Sequence, residues 1–188
     1  MRINTNAFLA ASILMFTVFS SCKKLEQSIK RDVIIVPAAV PFTIPEIENT
    51  NTGQVAGIFA STIDLEAEVR RLTEEEFGRN NIQHIKLSSI TIDLVDSPAV
   101  AENNLGNFEY FTIKMISGQN QAVVADIQNH PSGASRSYIF ANPETPANLK
   151  EILDAGTFNY DIRVKARTPT TKVLEAFITP TYIVSLSF

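Results

Sequence analysis

Residues 158–188 read FNYDIRVKARTPTTKVLEAFITPTYIVSLSF. In the first part Phe158, Tyr160, Ile162, Val164 and Ala166 alternate with Asn159, Asp161, Arg163, Lys165 and Arg167. Side chains of a strand point to opposite faces in turn, so this pattern predicts a strand with one dry and one wet face. Leu174, Ala176, Ile178, Tyr182, Val184, Leu186 and Phe188 then share one parity to the last residue. Arg167–Thr171 reads as the turn between them, which predicts a final antiparallel hairpin and a mainly antiparallel all-β fold.

The segments before this pair extend the pattern. Val33–Ile47 is rich in β-formers but holds Pro37, Pro41 and Pro45, all at odd positions. Such prolines delete donors along one side of a strand, so the segment is expected at a sheet edge, kinked at a proline to pass between sheets. Gly53–Ile63 is a further apolar segment. Ile82–Asp96 carries Ile85 and Leu87 on one parity and Ile90, Ile92 and Leu94 on the other. A strand changes its buried parity only through a bulge or a change of sheet, which predicts an irregularity at Ser88-Ser89. Asn107–Ile116 places Phe111, Ile113 and Met115 on one side and Phe108 and Tyr110 on the other. Ser117–Asn120 is a turn, and Gln121–Gln128 and Arg136–Ala141 are shorter strands flanking the polar loop Asn129–Ser135. Helical spacing runs over Asp64–Phe77 with Asp64 as N-cap and Gly78 as stop, and a short helix opens at Thr145-Pro146 and stops at Gly156. About eight strands and two short helices predict a β-sandwich, with immunoglobulin-like topology expected and a partly open β-barrel as the alternative.

At 188 residues, 45% hydrophobic and 19% charged, the chain has room for one ordinary globular domain. Its net charge of −4 and the lack of a basic block exclude a dedicated nucleic-acid binder. The N-terminus carries an address. Arg2 precedes the apolar run Ala7–Phe19, which is too short for a transmembrane helix and ends at Ser20-Ser21-Cys22. Phe19-Ser20-Ser21-Cys22 resembles the lipobox of bacterial lipoproteins, with Phe19 in the apolar position where Leu is commonest. The Ser-Cys-Lys-Lys start and the Asn- and Thr-rich body are similar to small surface lipoproteins of Bacteroidota. The resemblance implies cleavage after residue 21, a diacylglycerol on the Cys22 thiol, and an exported protein anchored in the bilayer, most naturally at the outer membrane. Residues 22–32 then form the acylated cysteine and a charged tether, about 15 to 20 Å in span if flexible, and residues 33–188 form the domain. Cys22 is the only cysteine. A chain whose single thiol is its anchor has no internal disulfide and relies on burial for stability.

Few residues suggest chemistry. His84 and His130 lack metal-ligand spacing and are expected as unrelated surface or strand residues. Asp126 and His130 could pair across a strand end, but no nucleophile accompanies them. Glu74, Glu75 and Glu76 point about 100° apart on a helix and cannot converge on one ion. There is no GxSxG, Walker loop or GxGxxG, so neither enzymatic activity, a cofactor nor a metal is expected. Arg163, Lys165, Arg167 and Lys172 form a basic strip on the polar face of the expected hairpin, a candidate contact for anionic headgroups or an acidic polymer. Phe108, Tyr110 and Phe111 are candidates for a glycan-stacking platform or for core packing. The strand ending in Phe188 also resembles the last strand of outer-membrane β-barrels, but the lipobox, the helices and the charges of Phe158–Arg167 argue against that fold. The expected role is a membrane-anchored, non-catalytic binding or assembly module that meets an envelope protein or glycan through loops such as Asn129–Ser135. Carriage of an apolar ligand or lipid is the alternative.

Overall fold

A computed structural model describes residues 29–95, 102–141 and 147–188. The expected signal segment, Cys22 and Thr145-Pro146 lie outside the described residues. The strands are β1 (Lys30–Ile35), β2 (Val40–Ile44), β3 (Gln54–Thr62), β4 (Ile82–Leu94), β5 (Phe108–Ser117), β6 (Asn120–Gln128), β7 (Ser137–Ala141), β8 (Thr157–Ala166) and β9 (Leu174–Ser187). Helix α1 spans Leu65–Leu72 and the single turn α2 spans Lys150–Leu153.

These strands form two antiparallel sheets, β1-β9-β4-β7 with β2 also on β9, and β3-β8-β5-β6. The fold is a β-sandwich, and no closed barrel forms among the described residues. Its pairings are nested: β1 and β2 with β9, β3 with β8, β4 with β7, β5 with β6. A long antiparallel ribbon of that kind, rolled so that β9 also meets β4 and β8 also meets β5, is a jelly roll. The immunoglobulin-like order, with strands ABED over CFG, is therefore not the one adopted. The expected terminal hairpin is absent for the same reason. β8 and β9 belong to different sheets, and residues 167–173 cross between them. Alternation shows that each strand has a dry face; whether two dry faces lie side by side or look at each other across a core is decided by pairing.

The core is the space between the sheets. Phe158, Tyr160, Ile162, Val164 and Ala166 from β8 face Leu174, Ala176, Ile178, Tyr182, Val184 and Leu186 from β9, all buried as their parity predicts. Each large apolar side chain so buried contributes about 1.5–3 kcal/mol. At the centre the Tyr160 and Tyr182 hydroxyls meet at 2.8 Å, and Tyr182 also donates to Met115 Sδ at 3.7 Å. Burial pushes both phenols above their ordinary range, so they act as neutral hydrogen-bonding groups that pin one sheet to the other.

Local irregularities follow from particular residues. The proline-rich segment lies at an edge as expected, but both its pieces stay on β9, with Pro37 in the gap between them. β1 starts at Lys30, within the expected tether, because Lys30–Asp32 pair with Ser185–Ser187. β4 shifts register between Leu87 and Ser89, the irregularity that its parity change requires. A second shift, between Phe108 and Tyr110, turns Phe108 into the core beside Phe111 rather than to the opposite face. Asp64 caps α1, accepting from Ala67 N at 3.0 Å. The helix then stops at Leu72, well before Gly78. The Thr73 hydroxyl donates to the Val69 carbonyl at 2.7 Å and accepts from Phe77 N at 3.2 Å. Glu74 and Glu75 take left-handed backbone with φ of 54° and 68°. Those two residues unwind the chain where apolar spacing alone continued it. Gly118, at φ 58°, makes the tight β5–β6 turn, and Gly156, at φ 75°, closes the segment after α2.

Candidate functional site

Register places the connections. Ile44, Leu94 and Ser137 lie level with the start of β9 near Leu174, and Gln54, Phe108 and Gln128 lie level with the end of β8 near Ala166. The links after β2, β4, β6 and β8 therefore gather at one end of the sandwich. Lys30 and Ile82 lie level with Leu186-Ser187 at the other end, where the chain enters the fold. β9 runs 14 residues between them, about 45 Å at the usual rise per strand residue.

The loop end is clasped by main chain and amides. Ile47 N donates to the Thr170 hydroxyl at 2.8 Å and Thr170 N to the Ile47 carbonyl at 3.0 Å. Asn107 Nδ2 donates to Thr168 Oγ1 at 2.7 Å, and the Asn107 carbonyl accepts from Arg167 N at 2.7 Å. Asn103 exchanges two bonds with Thr171, both 2.8 Å. Leu105 N reaches the Ser135 carbonyl at 2.8 Å. Gly106 packs so close to this loop that a Cβ would stand 2.4 Å from the Gly133 carbonyl, a separation that only glycine permits. The backbone of the loop Asn129–Ser135 is tied at Ser135 to Leu105 and at His130 to Glu109 of β5 and to the Arg167 side chain just past β8.

His130 anchors that loop from below. It is 2% exposed, not a surface residue as expected. Its ring stands edge-on to Tyr138 at 4.2 Å and Phe111 at 5.3 Å, with Phe140 beyond at 6.3 Å. His130 N donates to the Glu109 carbonyl at 2.8 Å, while neither ring nitrogen makes a hydrogen bond of good geometry among the described residues. Burial holds its pKa below the usual histidine value; the main chain of Phe108 pulls the other way, the Arg167 charge adds to the lowering, and the main chain of Pro131 opposes it least. Asp126 is not its partner: that carboxylate takes Thr112 Oγ1 at 3.3 Å and Gln128 Nε2 at 3.4 Å.

The basic strip is divided. Lys165 pairs with Glu109, whose carboxyl it holds below the usual range, and Arg163 with Asp161 at 3.5 Å. Arg167 turns inward and donates to the carbonyls of Phe108 and His130. Lys172 lies exposed on the crossing to the other sheet, away from the polar face of β8. Of the aromatic trio, Phe108 and Phe111 are fully buried and Tyr110 alone reaches the outer face. There it stands between Lys165 and Gln128 on the neighbouring strands. Gly53, Glu109, Tyr110, Gln128, Asn129 and Lys165 line a groove of about 410 Å³ where that face meets the loop end. A more apolar groove of about 370 Å³ lies at a corner of the sandwich beside Phe42, Phe59 and Phe177. Among the described residues no group of three acidic, histidine or cysteine side chains could hold a metal ion. The groove residues Gln128 and Gly53 were missed by sequence reading, since only strand pairing brings them beside Tyr110.

No family model and no curated protein matches the chain. Solved structures of similar shape include the infectious bursal disease virus Gt strain, at 10% identity and TM-score 0.38 over 86% of this chain and 34% of that one. The infectious bursal disease virus VP2 subviral particle matches at 9% identity and TM-score 0.37, over 84% and 33%. The semi-empty virus-like particle of the giant freshwater prawn Macrobrachium rosenbergii nodavirus matches at 8% and 0.36, over 88% and 86%. The chain spans about a third of the length of the first two, and at these values none of them bears on function.

Proposed function

We propose that the protein is a lipid-anchored, non-catalytic binding or assembly module of the bacterial cell envelope, held by an acylated Cys22 and working through its loop end. The observation that carries this reading is polarity of the fold. The chain enters at Lys30, eight residues after Cys22, at the end opposite the clasped loops. A short tether then holds one end near the headgroups and turns the Asn129–Ser135 loop, with its neighbours, away from the bilayer toward a partner. Transport of an apolar ligand has less support, because Tyr160, Tyr182, Phe108, Phe111, Phe140 and Phe158 fill the space between the sheets.

The anchor is tested by Cys22→Ala. Two or three acyl chains hold a protein on a membrane far more firmly than the marginal binding of one, at about 0.8 kcal/mol per buried methylene. Wild type should take up labelled palmitate and partition into detergent; the variant should lose the label while its folded domain is unchanged. Wild type that takes up no label and stays in the aqueous phase would refute the anchor. Photocrosslinking from Ser132 in intact cells tests the working end, and reproducible capture of an envelope component is expected there but not from Gln83 at the opposite end.

A further inference from the structure

The groove around Tyr110 has a composition that selects a class of ligand. Its one aromatic ring is half-exposed, offering an apolar face on an otherwise polar lining. The groove is also lined by Glu109, Gln128, Asn129 and Lys165, which bear a carboxylate, two amides and an ammonium. Carboxamides both donate and accept, so these groups suit hydroxyls in either role.

Charge in the groove cancels locally. Lys165 is in contact with Glu109, and Arg167, the next cation along the chain, spends its guanidinium on buried carbonyls. An anionic ligand would have to break the Lys165–Glu109 pair or lie against its carboxylate. A purely apolar ligand would strip water from four polar side chains without replacing it. A molecule with an apolar ring face and a hydroxyl rim satisfies both parts of the lining.

The groove is also set in advance. The Tyr110 hydroxyl touches that of Thr112, Thr112 reaches Asp126 Oδ1 at 3.3 Å, and the same oxygen accepts from Gln128 Nε2 at 3.4 Å. This chain across β5 and β6 fixes ring and amide before binding, which lowers the entropy lost when a ligand is held. Its volume of about 410 Å³ falls within the range of small-molecule clefts. We propose that this groove binds a neutral saccharide, with a sugar ring laid on Tyr110 and its hydroxyls on Glu109, Gln128 and Asn129. This assignment deepens the binding-module reading of the loop end and is independent of the anchor.

The test uses full-length protein in detergent micelles, titrated with neutral β-glucan, mannan and chitin hexasaccharides and with hexagalacturonate as a charged control. Saturable calorimetric binding of at least one neutral hexasaccharide is expected. Tyr110→Ala should weaken it about tenfold, the effect of losing one stacked ring, while Tyr110→Phe, which keeps the ring and loses only the hydroxyl contact that fixes it, should weaken it less. Gly53→Leu fills the groove without removing a contact, since a Cβ there meets only the Val164 carbonyl at 3.7 Å. It should weaken binding as well, and it carries the test if Tyr110→Ala fails to fold. The proposal is overturned if no neutral hexasaccharide binds, if the charged control alone binds, or if binding survives the disrupting variants. A saccharide-negative protein that still crosslinks an envelope protein from Ser132 would reject the ligand and leave the module reading standing.

Discussion

Tyr160 and Tyr182 show how much depends on which atom donates. Either phenol can donate in the 2.8 Å pair; if Tyr182 gives its one hydroxyl proton to Met115 Sδ at 3.7 Å, Tyr160 is the donor between the phenols. Tyr182→Phe then leaves a buried donor without an acceptor and should lower stability by about 1–3 kcal/mol. Tyr160→Phe leaves Tyr182 its sulfur contact and should cost only about 0.5–1.5 kcal/mol. The double variant should lose less than the sum, because removing both partners leaves nothing unsatisfied; urea unfolding of all four proteins measures the coupling. Strict additivity would show that the hydroxyls do not interact. His130 makes a prediction of another kind. Its native pKa lies below the unfolded value of about 6.5, so the unfolded chain binds more protons in that window. Its stabilising contribution is complete above that pH and is lost as pH falls through about 6.5 toward the native pKa, with a slope of at most about 1.4 kcal/mol per pH unit. His130→Phe should flatten this part of the stability profile, leaving the carboxylate-dependent loss at lower pH, where Glu66 and Glu109 titrate. An unaltered slope in the variant would rule out His130 as its source. Nothing local in the sequence marks this residue as buried. It stands in a polar loop before Pro131, and the rings that enclose it come from Phe111, Tyr138 and Phe140.

Strands were more legible than their ends. The parity change across Ser88-Ser89 announced a bulge before any pairing was known, and pairing supplies its mechanism: Leu87 faces Tyr182 and Ser89 faces Thr181, leaving Ser88 over. Deleting Ser88 should straighten the strand while keeping Ile85, Leu87, Ile90, Ile92 and Leu94 on the core side. Deleting Thr91 leaves the bulge but throws Ile92 and Leu94 outward, each at about 1.5–3 kcal/mol. Thermal unfolding followed by circular dichroism should therefore find a cooperative transition in the Ser88 deletion and a severely destabilised or unfolded Thr91 deletion. Equal loss in both would mean that the bulge itself, with its added twist, is indispensable. α1 stops short of its apolar spacing for a reason of the same scale. Leu65, Val69 and Leu72 keep helical spacing with Phe77 beyond, but the Thr73 hydroxyl competes for the backbone, as short hydroxyl side chains do near helix ends. Spacing records which residues are dry; it does not record the backbone path by which they arrive.

At the scale of the molecule, the same distinction separates the sandwich, which alternation revealed, from the jelly-roll order, which it could not. Parity assigns faces, whereas neighbours are chosen by register across segments more than a hundred residues apart, as β1 and β9 are. The Tyr110 groove depends on such pairing and was legible only as an aromatic cluster. Pairing also gives the molecule its two unlike ends, and the proposed orientation follows from them. If Cys22 carries lipid, its sulfur is consumed, and an engineered cysteine becomes the single free thiol. Gly133 suits one label because a side chain there meets nothing within 4 Å. Gln83, exposed beside Lys30 and Ser187, suits the other. The two sites sit at opposite ends of β9, about 45 Å apart along a strand of its length, while the eight residues from Cys22 to Lys30 could reach at most about 29 Å even fully extended. In vesicles carrying a quencher on the headgroups, a fluorophore on Gln83→Cys should be quenched and one on Gly133→Cys spared. Equal quenching would mean that the sandwich lies along the membrane, and stronger quenching at Gly133 that the loops face the lipid; either outcome would take the working end away from the partner side.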